Sequence, residues 1–257
     1  MKCKLICFLL YIENLIIDSI MNLLFSSYEQ PNECREVLIF RTGSLGDGIC
    51  AMPAISRIRK SFPKANINIL TNASSKKNKT SIGDLIDDGL YNVIYYDTYK
   101  DLFSITRKGN YDLFIELTQD YTPLFKQLRN MFIIRISGVS HAFGWGVQSI
   151  KRLSKWQEEC GLITSENDRL NKVLAKESII INSTDACYDF KISKSDKNIV
   201  DNLYHSLSLD KNEKVITFVV GAKRPMNIWP IGYFVEVAKY LISQDYNILL
   251  VGGKGDI

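Results

Sequence analysis

An apolar run, Glu36-Val-Leu-Ile-Phe40, leads directly into Arg41-Thr-Gly-Ser-Leu-Gly-Asp47-Gly48, and this junction constrains the fold more than any other stretch. A short β-branched and aromatic run reads as a buried strand. The loop glycines let the chain turn sharply and bring backbone N–H groups close to a ligand. Beyond them Met52, Ile55, Ile58 and Phe62 recur at helical spacing, with Arg57 and Lys60 on the other side. Strand, glycine loop and helix form the opening of a ligand-binding α/β domain.

Asp47 sets this loop apart. A phosphate-binding P-loop would place a lysine after its last glycine, whereas Asp47 follows Gly46. Gly43, Gly46 and Gly48 also miss the GxGxxG spacing of a dinucleotide site. A carboxylate at a helix start is favoured by the helix dipole but repels pyrophosphate. The loop therefore suits a ligand other than a nucleotide diphosphate. Two roles stay open for Asp47 from the residues alone: a general base, or a cap on the first helical turn. Pro53 inside the helical pattern removes the donor for the Ile49 carbonyl, so a kink or late helix start is expected.

Composition narrows the remaining choices. With 46% hydrophobic and 23% charged residues, the 257-residue chain is that of an ordinary globular protein. The net charge of +4 gives only a mild bias toward anionic partners. The cluster Lys76-Lys77-Asn78-Lys79 reads as a solvated loop, so no nucleic-acid partner is expected. The six cysteines form no CxxC pair and the two histidines lie far apart, which disfavours a zinc site and histidine-based hydrolysis. The cysteines read as scattered small hydrophobes in a reducing compartment.

Residues 5–24 are strongly apolar but are interrupted by Glu13, Asn14, Asp18 and Asn22. Asn14, Asp18 and Asn22 are four apart and share one helical stripe. The pattern fits a helix packed on the protein or lying in a membrane interface; a true span and a signal peptide are the rivals. Residues 26–33 read as a linker into the first strand.

Strand and helix patterns then alternate. Strands are expected at Ile67–Leu70, Val93–Tyr96 and Tyr111–Leu117, a helix around Leu124–Arg129, and a further strand at Met131–Ile136. Such alternation argues for a mostly parallel, doubly wound sheet. A polar helical stretch at 191–214 looks like a domain joint. A second unit follows: strand Val215–Val220, loop 221–230, helix Phe234–Ile242 and strand Asn247–Val251, ending in Gly252-Gly253. One βαβ unit of about 40 residues leaves its faces uncovered. The organisation is therefore an N-terminal helix and linker (1–35), a first domain (36–210), and the start of an incomplete second domain (213–257).

Three blocks together carry a family resemblance: VLIFRTGSLGDGICAMPAISRIRKSFPKANINILT, IIRISGVSHAFGW, and VITFVVGAKRPMNIWPIGYFVEVAKYLISQDYNILLVGG. With SENDRL between the last two, the chain resembles the ADP-heptose:lipopolysaccharide heptosyltransferases, glycosyltransferase family 9, from about residue 36 onward. The resemblance implies a GT-B fold of two Rossmann-like domains, acceptor-side first and nucleotide-sugar-side second. It implies metal-independent, inverting transfer from an ADP-sugar to a lipopolysaccharide or other lipid-linked saccharide. No cofactor is expected. The expected location is cytoplasmic, peripheral at the inner face of the inner membrane, with residues 5–24 as the membrane contact.

Residue by residue, the resemblance makes Asp47 the base and puts Arg41, Thr42, Gly43, Ser44 and Gly46 around the acceptor or sugar. Arg41 is equally well read as a structural salt bridge. Gly221, Lys223, Arg224, Asn227, Gly252 and Gly253 fall to the diphosphate of the donor. Breaking a sugar–phosphate bond without a metal leaves charge that needs cations and backbone donors. A solvated basic loop is the plain alternative for Lys223 and Arg224. Asn227 departs from the lysine that the family often carries two residues before its Trp-Pro. Trp229 reads as a packing residue, His141 as a loop residue outside the site, and Glu116 as a partly exposed strand residue that could hold a sugar hydroxyl. The alternative function is a sugar-binding paralogue without transferase activity.

Overall fold

The structure is a computed structural model that describes residues 2–26, 34–72, 81–86, 89–117, 119–147, 149–176, 188, 190–210, 212–222 and 225–253. The chain divides into two compact units, Met1–Lys191 and Ile192–Ile257. The linker at 27–33, the lysine cluster at 76–79, and Lys223 and Arg224 lie outside the described residues.

The first unit holds five parallel strands in the order β3-β2-β1-β4-β5. They are β1 (Glu36–Phe40), β2 (Asn66–Asn72), β3 (Asn92–Tyr96), β4 (Leu113–Glu116) and β5 (Ala142–Phe143). The helices are α1 (Lys2–Leu24), α2 (Leu45–Ser61), α3 (Tyr99–Lys108), α4 (Leu124–Ile136), α5 (Ser154–Glu159) and α6 (Glu166–Leu174). Side chains on a strand alternate between faces, and both faces here are buried. Val37 and Ile39 pack with Ile67, Ile69 and Ile115 beneath Met52, Ile55 and Ile58 of α2 and Leu170 of α6. Leu38 and Phe40 pack on the other face with Leu70, Phe114, Leu102 of α3, Met131 and Ile134 of α4, and Ile17 of α1. Each such buried side chain contributes about 1.5–3 kcal/mol. Helices on both faces of a 3-2-1-4-5 sheet make the unit Rossmann-like and doubly wound.

Three sequence expectations are corrected here. Met131–Ile136 is the second half of α4, not a strand. Gln127, Asn130, Met131 and Ile134 are buried while Phe132 and Ile136 are exposed, so the period is that of a helix. A short apolar run reads either way until its context decides. The cysteines are not all isolated either: Cys3 and Cys160 form a disulfide across 157 residues of sequence, and Cys7, Cys34 and Cys50 are in no disulfide. Their distant positions in the chain gave no pairing signal. The helix α2 also runs unbroken through Pro53.

Two residues of the α1 polar stripe, Asn14 and Asp18, meet protein, while Asn22 is exposed. The Asn14 side chain donates to the carbonyls of Leu10 and Val147 and accepts from the Val147 N–H. Asp18 pairs with Lys176 at 2.8 Å. Leu5, Phe8, Tyr11, Leu15 and Leu23 remain exposed. No helix among the described residues is long and apolar enough to cross a membrane. The disulfide ties the start of α1 to the end of α5. Reduction, or Cys3→Ser, is expected to cost about 2–4 kcal/mol, because the bond restricts the unfolded chain. Urea unfolding with and without reductant reads this directly, and the Cys3→Ser variant should no longer respond to reductant.

The second unit comprises α7 (Lys194–Ser206), β6 (Val215–Val219), α8 (Ile231–Ile242) and β7 (Asn247–Val251). β6 and β7 pair in parallel, with Val215 opposite Asn247, across the helical crossover. This is one βαβ unit of a second Rossmann-like sheet. The division at Lys191/Ile192 falls at the start of the 191–214 stretch read as a joint, and α7 groups with the second unit.

Candidate functional site

The strand order of the first unit reverses between β1 and β4, and in such sheets ligands bind beyond the carboxyl ends of the strands at that point. Arg41 to Asp47 occupy that position. Ser44 is extended and precedes α2, with Asp47 in its first turn. The Ser44 backbone N–H and hydroxyl both donate to Asp47 Oδ2 at 2.7 Å. Gln119, from the loop after β4, donates to the same oxygen at 3.1 Å. The capping role expected as an alternative for Asp47 is thus present, and all three contacts converge on one carboxylate oxygen. Oδ1 is left for another partner.

Gly43 makes this arrangement possible. Its φ is +135°, and a Cβ there would stand 2.7 Å from the Asp47 Cβ. Its N–H donates to the Asn72 side chain at the end of β2. Gly43→Ala is expected to cost about 1–3 kcal/mol and to displace Asp47; thermal melting reads the cost.

Arg41 is buried, and its guanidinium donates to Glu166 Oε1 at 2.8 Å, the Asp47 carbonyl at 2.8 Å and the Leu117 carbonyl at 3.1 Å. Desolvation lowers its pKa, and Glu166 opposes that. Glu166 itself is raised by burial, but Arg169 and Arg41 prevail and hold its carboxyl below the usual range. Arg169 grips Glu166 at 2.6 and 2.8 Å. Of the two roles weighed for Arg41, the salt bridge is the one its side chain performs. It holds the backbone at Asp47 in place rather than reaching outward.

A cavity of about 410 Å³ opens beside this loop. It is lined by Phe40 and Thr42, Tyr96 to Tyr99, Glu116 and Gln119, and Lys126, Arg129 and Asn130 of α4. Gln119 therefore touches both the cavity and Asp47. Glu116 is only 2% exposed, and Asn130 donates to both of its oxygens. The partly exposed position expected for Glu116 is corrected: desolvation raises its pKa to about 8, against the pull of Asn130 and Arg129. Tyr96 is pushed up to about 12, first by desolvation and then by Glu116. Thr42 also lines the cavity, while Ser44 and Gly46 are exposed on the loop.

In the second unit Gly221 follows β6, and Gly252 and Gly253 follow β7, so all three stand at carboxyl ends of parallel strands. Asn227 is exposed in a short 3₁₀ turn, Pro225–Asn227. Trp229 stacks on Tyr233 at 5.5 Å and meets Phe234 edge-on at 5.0 Å, in keeping with a packing role. No cluster of metal-ligating side chains occurs among the described residues. His141 Nδ1 donates to the Ser26 carbonyl at 3.0 Å, and the residue lies outside the cavity lining.

Sequence reasoning missed Gln119, Asn72, Lys126 and Arg129, which lie on neighbouring elements and belong to no motif. Glu166 stood within the quoted SENDRL segment but without an assigned role.

Residues 168–256 match the family model for glycosyltransferase family 9 (heptosyltransferase). The resemblance to glycosyltransferase family 9 holds. Similar solved structures agree with it. One is a glycosyltransferase family 9 protein from Veillonella parvula, with a TM-score of 0.62, 16% identity and coverage of 90% of this chain and 66% of that one. Another is the ADP-heptose lipopolysaccharide heptosyltransferase II of E. coli, with a TM-score of 0.55, 18% identity and coverage of 86% and 65%. At these identities the likeness establishes the fold: α/β, GT-B type. The chain spans about two thirds of the length of those solved chains, 66% and 65%. No curated protein matches the chain in sequence. The family 9 match begins at Asp168, so the loop bearing Asp47 lies outside it.

Proposed function

We propose that this protein is a sugar transferase that moves a heptose or similar sugar from an ADP-sugar to a lipopolysaccharide or other lipid-linked saccharide. The observation that carries the reading is Asp47. It is a carboxylate held by three contacts on one oxygen, at the switch point of a Rossmann-like sheet and one residue, Gln119, away from the 410 Å³ cavity. In the proposed step, Asp47 accepts the proton of an acceptor hydroxyl. The hydroxyl oxygen bonds to the anomeric carbon from the face opposite the diphosphate. The bond from that carbon to the diphosphate breaks, and ADP leaves with the electron pair, so the configuration inverts. Thr42, Gly43, Ser44 and Gly46 surround the reacting sugar, with Arg41 fixing the loop from behind.

Gly221, Lys223, Arg224, Asn227, Gly252 and Gly253 serve the diphosphate. Glycines at strand ends bring backbone donors close, and two cations offset the charge that a metal would otherwise balance. The reaction runs without a metal or cofactor. The protein acts on the cytoplasmic side of the membrane, and the exposed apolar face of α1 rests in the interface, where such faces bind. A disulfide is uncommon in that compartment, so the thiol state of Cys3 and Cys160 in freshly prepared protein bears on this placement.

Asn227 in place of the family's usual lysine favours a second reading, a saccharide-binding paralogue that does not transfer. Titration calorimetry with ADP-heptose separates the two. Saturable binding supports the transferase. An absence of heat, together with binding of the acceptor saccharide alone, supports the paralogue.

A further inference from the structure

We propose that Glu116 is a specificity-determining residue, holding an acceptor hydroxyl at the floor of the 410 Å³ cavity with Asn130 as its brace. This inference rests on the acceptor-side reading of the first unit. The cavity has a wall of Phe40, Tyr96 and Tyr99, which suits the apolar face of a sugar ring. Its other side carries Lys126 and Arg129, and Arg129 lies over the Tyr99 ring at 5.6 Å. Among the described residues, the carboxyls lining it are those of Asp97 and Glu116. A carboxyl on an aromatic-lined floor is a polar anchor of the kind that fixes ligand orientation.

Glu116 ends β4 and lies opposite Phe40 of β1 in register. Burying a carboxyl in such surroundings is costly unless its hydrogen-bonding capacity is used. Asn130 supplies donors, at 3.2 and 3.4 Å, and its NH2 group cannot accept the proton of a neutral carboxyl. An acceptor hydroxyl accepts that hydrogen bond. The groups facing Glu116 are Tyr96 from β3, Arg129 and Asn130 from α4 and Trp145 beyond β5, with Asp97 and Lys126 elsewhere on the cavity lining. Burial pushes Glu116 up to about 8 and Tyr96 up to about 12, so Glu116 changes charge first of the two. Neutral Glu116 donates to the hydroxyl; the carboxylate does not.

The probe is lipopolysaccharide that lacks heptose, and its affinity for the full chain is measured by calorimetry at pH 6.5 and pH 9 without donor. The wild-type affinity is expected to fall about tenfold between these values, following the ionised fraction of Glu116. Glu116→Gln, whose amide donates at any pH, is expected to stay within about threefold. Parallel changes in the two proteins, or none in either, overturn the role of Glu116 while leaving the acceptor-side reading intact. An absence of binding at pH 6.5 in both, with both folded by circular dichroism, overturns the acceptor-side reading and this inference with it.

Discussion

Replacing Asp47 with asparagine is expected to lower sugar transfer by roughly 10²- to 10⁴-fold, the contribution of a positioned general base. The substitution is chosen from the geometry. Ser44 and Gln119 all donate to Oδ2, and the amide oxygen of asparagine can accept the same bonds. The cap survives, and only the charge and the proton-accepting oxygen are lost. Asp47→Ala removes the cap as well, with an added stability cost of about 0.5–2 kcal/mol. The pair of variants therefore separates the two roles of the residue. A purely capping Asp47 would leave the asparagine protein as active as wild type and the alanine protein merely less stable.

The second large effect concerns stability rather than turnover. Glu116 has its pKa raised from 4.5 to about 8 by burial. Between these values the folded chain keeps a proton that the unfolded chain has lost. Stability from this group is complete below pH 4.5 and disappears as the pH rises through about 8. The slope is roughly 1.4 kcal/mol per pH unit across that window. Glu116→Gln removes the titration, so its stability should be flat by comparison and should exceed that of wild type at pH 8. Urea midpoints at pH 5, 6, 7 and 8 for both proteins isolate the term, because all other groups titrate in both. Parallel curves would show that Glu116 ionises as freely in the folded chain as in the unfolded one.

The sequence is most legible where periodicity and turn chemistry agree. The run Glu36–Phe40, the turn at Gly43 and the helical spacing after it appear in the structure as β1, loop and α2. The alternation of Val37 and Ile39 against Leu38 and Phe40 across the two faces follows from strand geometry alone. The run at Met131–Ile136 misleads because its six residues contain too little context to separate a period of 2 from one of 3.6. Pairing of Cys3 with Cys160 depends on α1 meeting α5, a tertiary event with no local trace. The same holds for the cavity. Glu116, Gln119, Lys126 and Arg129 converge only when β4 and α4 are set beside β1 and β3. Arg41 shows the reverse: its type and place suggest a ligand contact, but burial against Glu166 gives it to the loop.

The most direct measurement is the mass of the acceptor after incubation with the protein and ADP-heptose, with and without EDTA. Heptose-free lipopolysaccharide should gain a single heptose, release ADP in equal amount, and do so equally in EDTA. Unchanged acceptor mass, under conditions where calorimetry shows both ADP-heptose and acceptor bound, would contradict sugar transfer as the function of this chain.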